Sequence, residues 1–328
     1  MIEVKDLYKE YRVAEKGKGL SGTVKTLFKS EKKVIKAVNG LNFSVDKGEI
    51  LGFIGPNGSG KSTTIKMMTG ILTPTSGQVL INGRDIAKER KEAVREIGVV
   101  FGQRTQLNWD LRLEESFELL RHIYRVDKRE YRETLEIMDS ILGVGELLNK
   151  PVRQMSLGQR VKGDLTAAMI HSPKILFLDE PTIGLDVGSK YALRKFIKEI
   201  NEIKNTTIIL TTHDLGDIQE LCERLIIING GVMVEDGRLS EITERLAPYR
   251  TLVVEYYTAC APEHPKAEII SVSDNIVRYK FMKSKTTAAE IISDLSAVQP
   301  IKDIGIEEAG IDDIISIAYQ QKNNSGCR

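Results

Sequence analysis

Gly55-Pro56-Asn57-Gly58-Ser59-Gly60-Lys61-Ser62-Thr63 decides how the rest of the chain is read. It fits the phosphate-binding pattern G-x-x-x-x-G-K-[ST], and its flanks supply the context that pattern needs. Before it, Ile50-Leu51-Gly52-Phe53-Ile54 is a short apolar run that predicts a buried strand. After it, Thr63 to Gly70, with Ile65, Met67 and Met68, predicts the opening of a helix. Glycines let successive backbone N–H groups converge on one concavity, and a helix N-terminus adds partial positive charge there. Lys61 is placed to bridge the β- and γ-phosphates of a nucleotide, and the Ser62 hydroxyl to ligate Mg²⁺. A mere Gly-rich turn needs neither the lysine nor the hydroxyl, so the stretch is read as a nucleotide site.

A second piece of chemistry lies at Ile175-Leu176-Phe177-Leu178-Asp179-Glu180, an apolar strand that delivers two carboxylates at its C-terminal end. In a phosphate-loop fold that end faces the ligand. Asp179 is expected to hold Mg²⁺, and Glu180 to polarise the attacking water as general base. His213 follows Thr211-Thr212 at the end of the Ile208-Ile209-Leu210 strand, within reach of the γ-phosphate if that strand runs parallel. Gln103 ends another predicted strand, Ile97 to Phe101, and is a candidate contact for Mg²⁺ or the attacking water. Met155-Ser156-Leu157-Gly158-Gln159 precedes a predicted helix. On local physics alone Ser156 is a helix cap. As a second anion site it would serve a nucleotide held by another copy of the chain.

Composition sets the class. The 328 residues are 41% hydrophobic and 28% charged, ordinary for a globular protein with one full domain and a smaller one. A net charge of +1 provides no global field for nucleic acid. Cys222, Cys260 and Cys327 form no metal or redox spacing, which suits a reducing compartment. Neither a signal peptide nor an apolar run of the roughly 20 residues that span a bilayer is evident, so a cytoplasmic location is expected.

In chain order, Ile2 to Leu7 predicts an edge strand, and Arg12 to Lys36, with eight Lys/Arg against two Glu, a surface insertion. Residues 104–170 change to helical periodicity, with Phe117, Leu120, Ile123 and Tyr124 as one stripe. Strands and helices then alternate to about Leu246. A small α+β segment of strands and two helices follows, and Lys322 to Arg328 reads as a disordered tail. The expected fold class is α/β: a phosphate-loop ATPase core with an antiparallel β subdomain and a helical subdomain insertion, followed by a small α+β C-terminal domain. The expected boundaries are 1–245 for the ATP-binding domain and 246–328 for the accessory domain.

Taken together, these residues resemble the ATP-binding subunits of ABC transporters over about residues 1–240. Gly55, Pro56, Asn57, Gly58, Ser59, Gly60, Lys61, Ser62 and Thr63 look like that family's Walker A loop, Ile175 to Glu180 like Walker B, and Gln103 like the Q-loop glutamine. Ser156, Leu157, Gly158 and Gln159 resemble the signature, Asp186 the D-loop aspartate, His213 the switch histidine, and Tyr11 the aromatic that stacks on adenine. Leu157 stands where the family usually has Gly. The resemblance implies a head-to-tail homodimer around two ATP, Mg²⁺ at Ser62, Gln103 and Asp179, and catalysis by Glu180, His213, Gln103 and Lys61. It also implies integral membrane permease subunits that hold the chain at the inner face of the cell membrane, with Trp109, Leu111 and Phe117 as candidates for their contact. Among branches it looks most like bacterial drug, antibiotic and viologen exporters. An importer subunit and an ATPase outside transport are the alternatives.

Overall fold

The computed structural model describes residues 1–14, 32–102 and 104–325. The chain divides into two compact units, Met1–Asp236 and Gly237–Arg328. In chain order it forms β1 (Ile2–Ala14), β2 (Lys32–Val45), β3 (Ile50–Ile54), α1 (Lys61–Met68), β4 (Ser76–Ile81), β5 (Arg84–Asp85), α2 (Arg90–Val94) and β6 (Ile97–Phe101). Three helices follow, α3 (Leu113–Tyr124), α4 (Lys128–Leu142) and α5 (Leu157–Met169). Then come β7 (Ile175–Asp179), α6 (Val187–Lys204), β8 (Thr207–Thr211), α7 (Leu215–Leu221), β9 (Arg224–Asn229) and β10 (Val232–Arg238). The rest is α8 (Leu239–Leu246), β11 (Tyr249–Tyr256), β12 (Ala267–Ser273), β13 (Ile276–Met282), α9 (Ala288–Val298), β14 (Ile301–Glu308) and α10 (Ile311–Ser325).

The central sheet has the order β10-β9-β3-β8-β7-β6. β3 runs parallel to β8 and β9, and β7 parallel to β6 and β8. Leu51, Phe53, Leu176, Phe177, Ile208 and Ile209 are all 0% exposed. Strands with no polar face are what two covered faces demand. Parallel pairing has a functional consequence. It brings the C-terminal ends of β3, β6, β7 and β8 to one edge of the sheet, where ligands collect in open α/β folds.

The smaller sheet of the first unit has the order β2-β1-β4-β5. β1 is therefore an interior strand and not the expected edge, because β2 and β4 pair with its two sides. The basic insertion expected at 12–36 is also partly regular. Tyr11 lies opposite Ile35, Arg12 opposite Val34 and Val13 opposite Lys33, so the two strands continue as a ribbon. Val13, Val34 and Ile35 are 46–48% exposed there, so no buried face marks the ribbon as strand in the sequence. Residues 15–31 of that insertion lie outside the described residues.

The helical region packs Leu107, Leu113, Phe117, Tyr131 and Val152 into its own core. Phe117, 0% exposed, is thus a core residue and not a surface contact. Ile123 leaves the expected stripe and is 63% exposed. This region is pinned from below by Asp164, a carboxylate in the middle of α5. Its Oδ1 accepts from Thr105 Oγ1 at 2.8 Å and from the Gln106 amide at 3.0 Å, and its carbonyl accepts from Gln106 Nε2 at 3.1 Å. The segment after β6 is thereby tied to α5.

In the second unit an antiparallel sheet of order β12-β13-β11-β14 lays Leu252, Val254, Tyr256, Val277, Tyr279 and Phe281 against Ile291 and Leu295 of α9. The buried phenols of Tyr256 and Tyr279 meet at 3.0 Å, and Tyr279 donates onward to the Pro262 carbonyl at 2.8 Å. α10 continues to Ser325, beyond Lys322 where the tail was expected to begin. Cys222 and Cys260 are free thiols, and Cys327 lies outside the described residues.

Burial pushes the Asp164 carboxyl up to about 6, against the lowering effect of Thr105, Gln106 and Arg160. The folded protein therefore takes up this proton at higher pH than the unfolded chain, so stability falls as pH rises from about 4 to 6 and the cost persists above. Asp164→Asn keeps an acceptor oxygen and removes the charge. It is expected to exceed the wild type in denaturant stability at pH 8 by about 2–3 kcal/mol, the gap closing below pH 4. Parallel stability curves from pH 4 to 8 would contradict this.

Candidate active site

The loop between β3 and α1 is shaped by its glycines. Gly60 has φ +107° and caps α1, and a Cβ there would collide with the carbonyl oxygen of Ala37 on β2. Only glycine serves both demands. The loop is held from the other side by the Gly231 amide, which donates to the Ser59 carbonyl at 2.9 Å. Ser59 is 2% exposed, with its hydroxyl buried inside the loop. Lys61, 5% exposed, folds its ammonium over the loop and donates to the carbonyls of Gly55 at 2.6 Å and Pro56 at 3.1 Å. Burial lowers its pKa, while the charges of Glu180 and Asp179 raise it.

The acids arrive on β7. Asp179 lies opposite Thr211 of β8 on one side and Phe101 of β6 on the other. Its Oδ1 is 3.4 Å from the Ser62 hydroxyl, which links the strand end to the phosphate loop. The next residue, Glu180, turns into the left-handed region at φ +55°. That turn carries its carboxylate away from the strand line, and Oε1 meets His213 Nε2 at 2.7 Å. A cavity of about 310 Å³ is lined in part by Ser62, Asp179 and Glu180, with Lys66 and Arg104 as its cations. Its donor set is a hydroxyl and carboxylate oxygens. Among the described residues no group of three or more His, Cys, Asp or Glu could hold a metal by itself. Few hard oxygen donors suit Mg²⁺, which keeps waters and takes phosphate oxygens as further ligands.

The loop bearing His213 is braced from α6. Thr212 Oγ1 donates to Asp217 Oδ2 at 3.0 Å and accepts the Asp214 amide at 2.9 Å. Asp217, 1% exposed, receives Arg194 Nε at 2.7 Å, and Lys190 meets Asp214 at 2.6 Å. α6 itself begins at Asp186, whose carboxylate accepts the Ser189 amide at 2.9 Å.

Ser156, Leu157, Gly158 and Gln159 form a second group at the start of α5. Ser156 caps α5: its Oγ accepts the Gln159 amide at 3.3 Å, while Gln159 Oε1 accepts the Ser156 amide at 3.1 Å. A Cβ at Gly158 would run into Ser189 Oγ, so glycine permits α5 to approach the start of α6. Leu157 reaches Gly184, whose Cβ would stand 3.2 Å from Leu157 Cδ2. Tyr11 sits apart on the ribbon, 40% exposed, with the Lys9 ammonium 5.5 Å over its ring. Gln103 lies outside the described residues. Trp109 is 48% exposed under the Arg160 guanidinium, 4.9 Å from the ring centre. Neither Thr211 nor the Arg194–Asp217 brace was expected from the sequence. The strand-end pair Thr211-Thr212 before His213 is the signal that could have found the first.

A parallel sheet that gathers a phosphate loop, a strand-end acid pair and a histidine at one edge defines a phosphate-loop ATPase. The comparisons narrow the class. A family model described as ABC transporter matches residues 38–183. The ABC transporter ATP-binding protein NatA of Bacillus subtilis (strain 168) is 33% identical over 217 residues, 66% of this chain and 88% of that protein. The linearmycin resistance ATP-binding protein LnrL of the same organism is 34% identical over 64% of this chain and 67% of its own length. The methionine import ATP-binding protein MetN 2 of Oceanobacillus iheyensis is 29% identical over 82% of this chain and 80% of its own. The ATP-binding cassette MJ0796, solved as a dimer in a post-hydrolysis state with ADP and Pi, superposes with a TM-score of 0.61 at 26% identity. That match covers 73% of this chain and 99% of that one. The chain belongs to the ATP-binding subunits of ABC transporters and is an ATPase.

Arg194→Leu leaves the buried Asp217 carboxylate without its guanidinium and is expected to cost about 3–5 kcal/mol in denaturant unfolding. Asp217→Asn in the same chain is expected to recover part of the loss. A single variant as stable as the wild type would show that the brace is idle.

Proposed function

We propose that this chain powers an exporter: two copies close head-to-tail around two ATP and drive a separate integral membrane permease. The observation that carries the catalytic part is the 2.7 Å contact of Glu180 with His213 beside Lys61, Ser62 and Asp179. Gly55 to Thr63 cradle the phosphates through backbone amides, with Lys61 on the β- and γ-oxygens. Tyr11 stacks on the adenine. Ser62, Asp179 and Gln103 would hold Mg²⁺, which when bound neutralises charge on the phosphate oxygens. Glu180 takes the proton of the attacking water, and His213 orients Glu180 and reaches toward the γ-phosphate. Ser156, Leu157, Gly158, Gln159 and Asp186 of one copy face the nucleotide held by the other, where the start of α5 offers its amides to anionic oxygens.

Attachment to the inner face of the cell membrane goes through the permease; among the described residues no helix is long and apolar enough to cross a membrane. Trp109 is the surface residue best placed for that contact. Residues 1–245 act as the ATP-binding domain, and 246–328 as an accessory domain that braces or regulates the dimer. Export is favoured by likeness to a protein named for linearmycin resistance, and import by likeness to a methionine import subunit.

Glu180→Gln is expected to lower ATP turnover by at least about 10²-fold while ATP converts the chain to a stable dimer on gel filtration. Turnover at the wild-type rate would remove Glu180 from its role. Lys61→Ala is expected to abolish nucleotide binding, and retained ATP affinity would count against the phosphate-loop assignment.

A further inference from the structure

We infer that Thr211 is a positioning residue that sets both acids of the site, an inference that rests on the roles proposed above for Asp179 and Glu180. Thr211 ends β8 directly opposite Asp179, and it is 0% exposed. Its single hydroxyl does two things at once. It donates to Asp179 Oδ1 at 2.7 Å and accepts the backbone N–H of Glu180 at 3.0 Å. A hydroxyl has one proton to give and lone pairs to accept with, so both capacities are matched. The same Glu180 amide also lies 3.0 Å from the Thr211 carbonyl oxygen. Residue 211 thus grips one peptide with side chain and main chain together.

That peptide is the one that needs holding. Glu180 at φ +55° adopts a left-handed conformation that is strained for a non-glycine residue. Such conformations persist where the surroundings over-determine them. The turn is also what sends the Glu180 carboxylate to His213. The donated proton acts on the other acid. With Oδ1 of Asp179 held by Thr211, and by Ser62 at the longer 3.4 Å, the carboxylate plane is fixed and Oδ2 is left for a cation or its waters. Thr212 has a separate job, bracing the loop through Asp217 and Asp214, so the two adjacent hydroxyls act on different parts of the site.

Thr211→Val keeps the branched shape of a buried strand residue and deletes only the hydroxyl. In the full chain with ADP bound, Mn²⁺ as an EPR-visible stand-in for Mg²⁺ is expected to bind about tenfold more weakly, as partners of metal-holding groups typically show. Turnover at saturating Mg²⁺ and ATP is expected to fall by about tenfold or more, with KM for ATP within about twofold of wild type. Thr211→Ser restores the hydroxyl and is expected to restore both readouts. Thr211→Ala makes the same prediction as Val should the valine variant fail to fold. Unchanged Mn²⁺ affinity and turnover in the Val or Ala variant would overturn the inference, as would an equal loss in the Ser variant, which would assign the effect to packing. A wild-type chain that neither hydrolyses ATP nor binds Mn²⁺ with ADP would instead overturn the site reading itself.

Discussion

The register between β7 and β8 is the constraint on which the site depends. Placing Asp179 opposite Thr211 fixes where both strands end, and the groups that follow, Glu180 and His213, emerge from neighbouring strands at the same level. β3, paired to the other side of β8, ends with its phosphate loop on the same edge. A slip of one residue in either pairing would turn each side chain to the opposite face and separate the acids from Ser62. The fully buried faces of these strands make such a slip costly, so the hydrophobic pattern that builds the core also aims the chemistry.

Around that edge, polar side chains act as fixed struts. Arg194 and Lys190 on α6 hold the loop after His213 through Asp217 and Asp214. Asp164 ties the segment following β6 to the helix that Ser156 caps. The first strut joins the loop that bears His213 to the helix that opens at Asp186. The second joins Thr105 and Gln106 to the helix whose start carries Ser156. Both run through hydrogen bonds whose acceptors, Asp217 and Asp164, are nearly or fully buried. Leaving either buried acceptor unpaired would be costly, and this holds the joined elements together.

Much of this was legible in the sequence because it is local. The phosphate loop, the apolar strand ending in Asp179-Glu180 and the histidine after Thr211-Thr212 each announce themselves within ten residues. What stayed hidden is non-local. β1 looks like an edge strand because a sequence does not say that β2 and β4 both pair with it. The ribbon past Tyr11 escapes because Val13, Val34 and Ile35 have no buried side to produce alternation. Asp164 reads as one more charge on a helix until Thr105 and Gln106, 59 and 58 residues away, are seen to bond to it. Thr211 reads as the last residue of a strand, and only the pairing shows which acid it serves. The left-handed turn at Glu180 has no signature of its own, and the groups that hold its amide lie in the strand beside it.

Each hydrolytic site is proposed to lie half on one copy and half on another, and the dependence of ATPase rate on chain concentration tests this directly. With Mg²⁺ and ATP saturating, the specific activity is predicted to rise with concentration and level off as copies pair. Specific activity that stays constant down to concentrations at which the chain is demonstrably monomeric would contradict it, because Ser156 and its neighbours would then have no part in the chemistry.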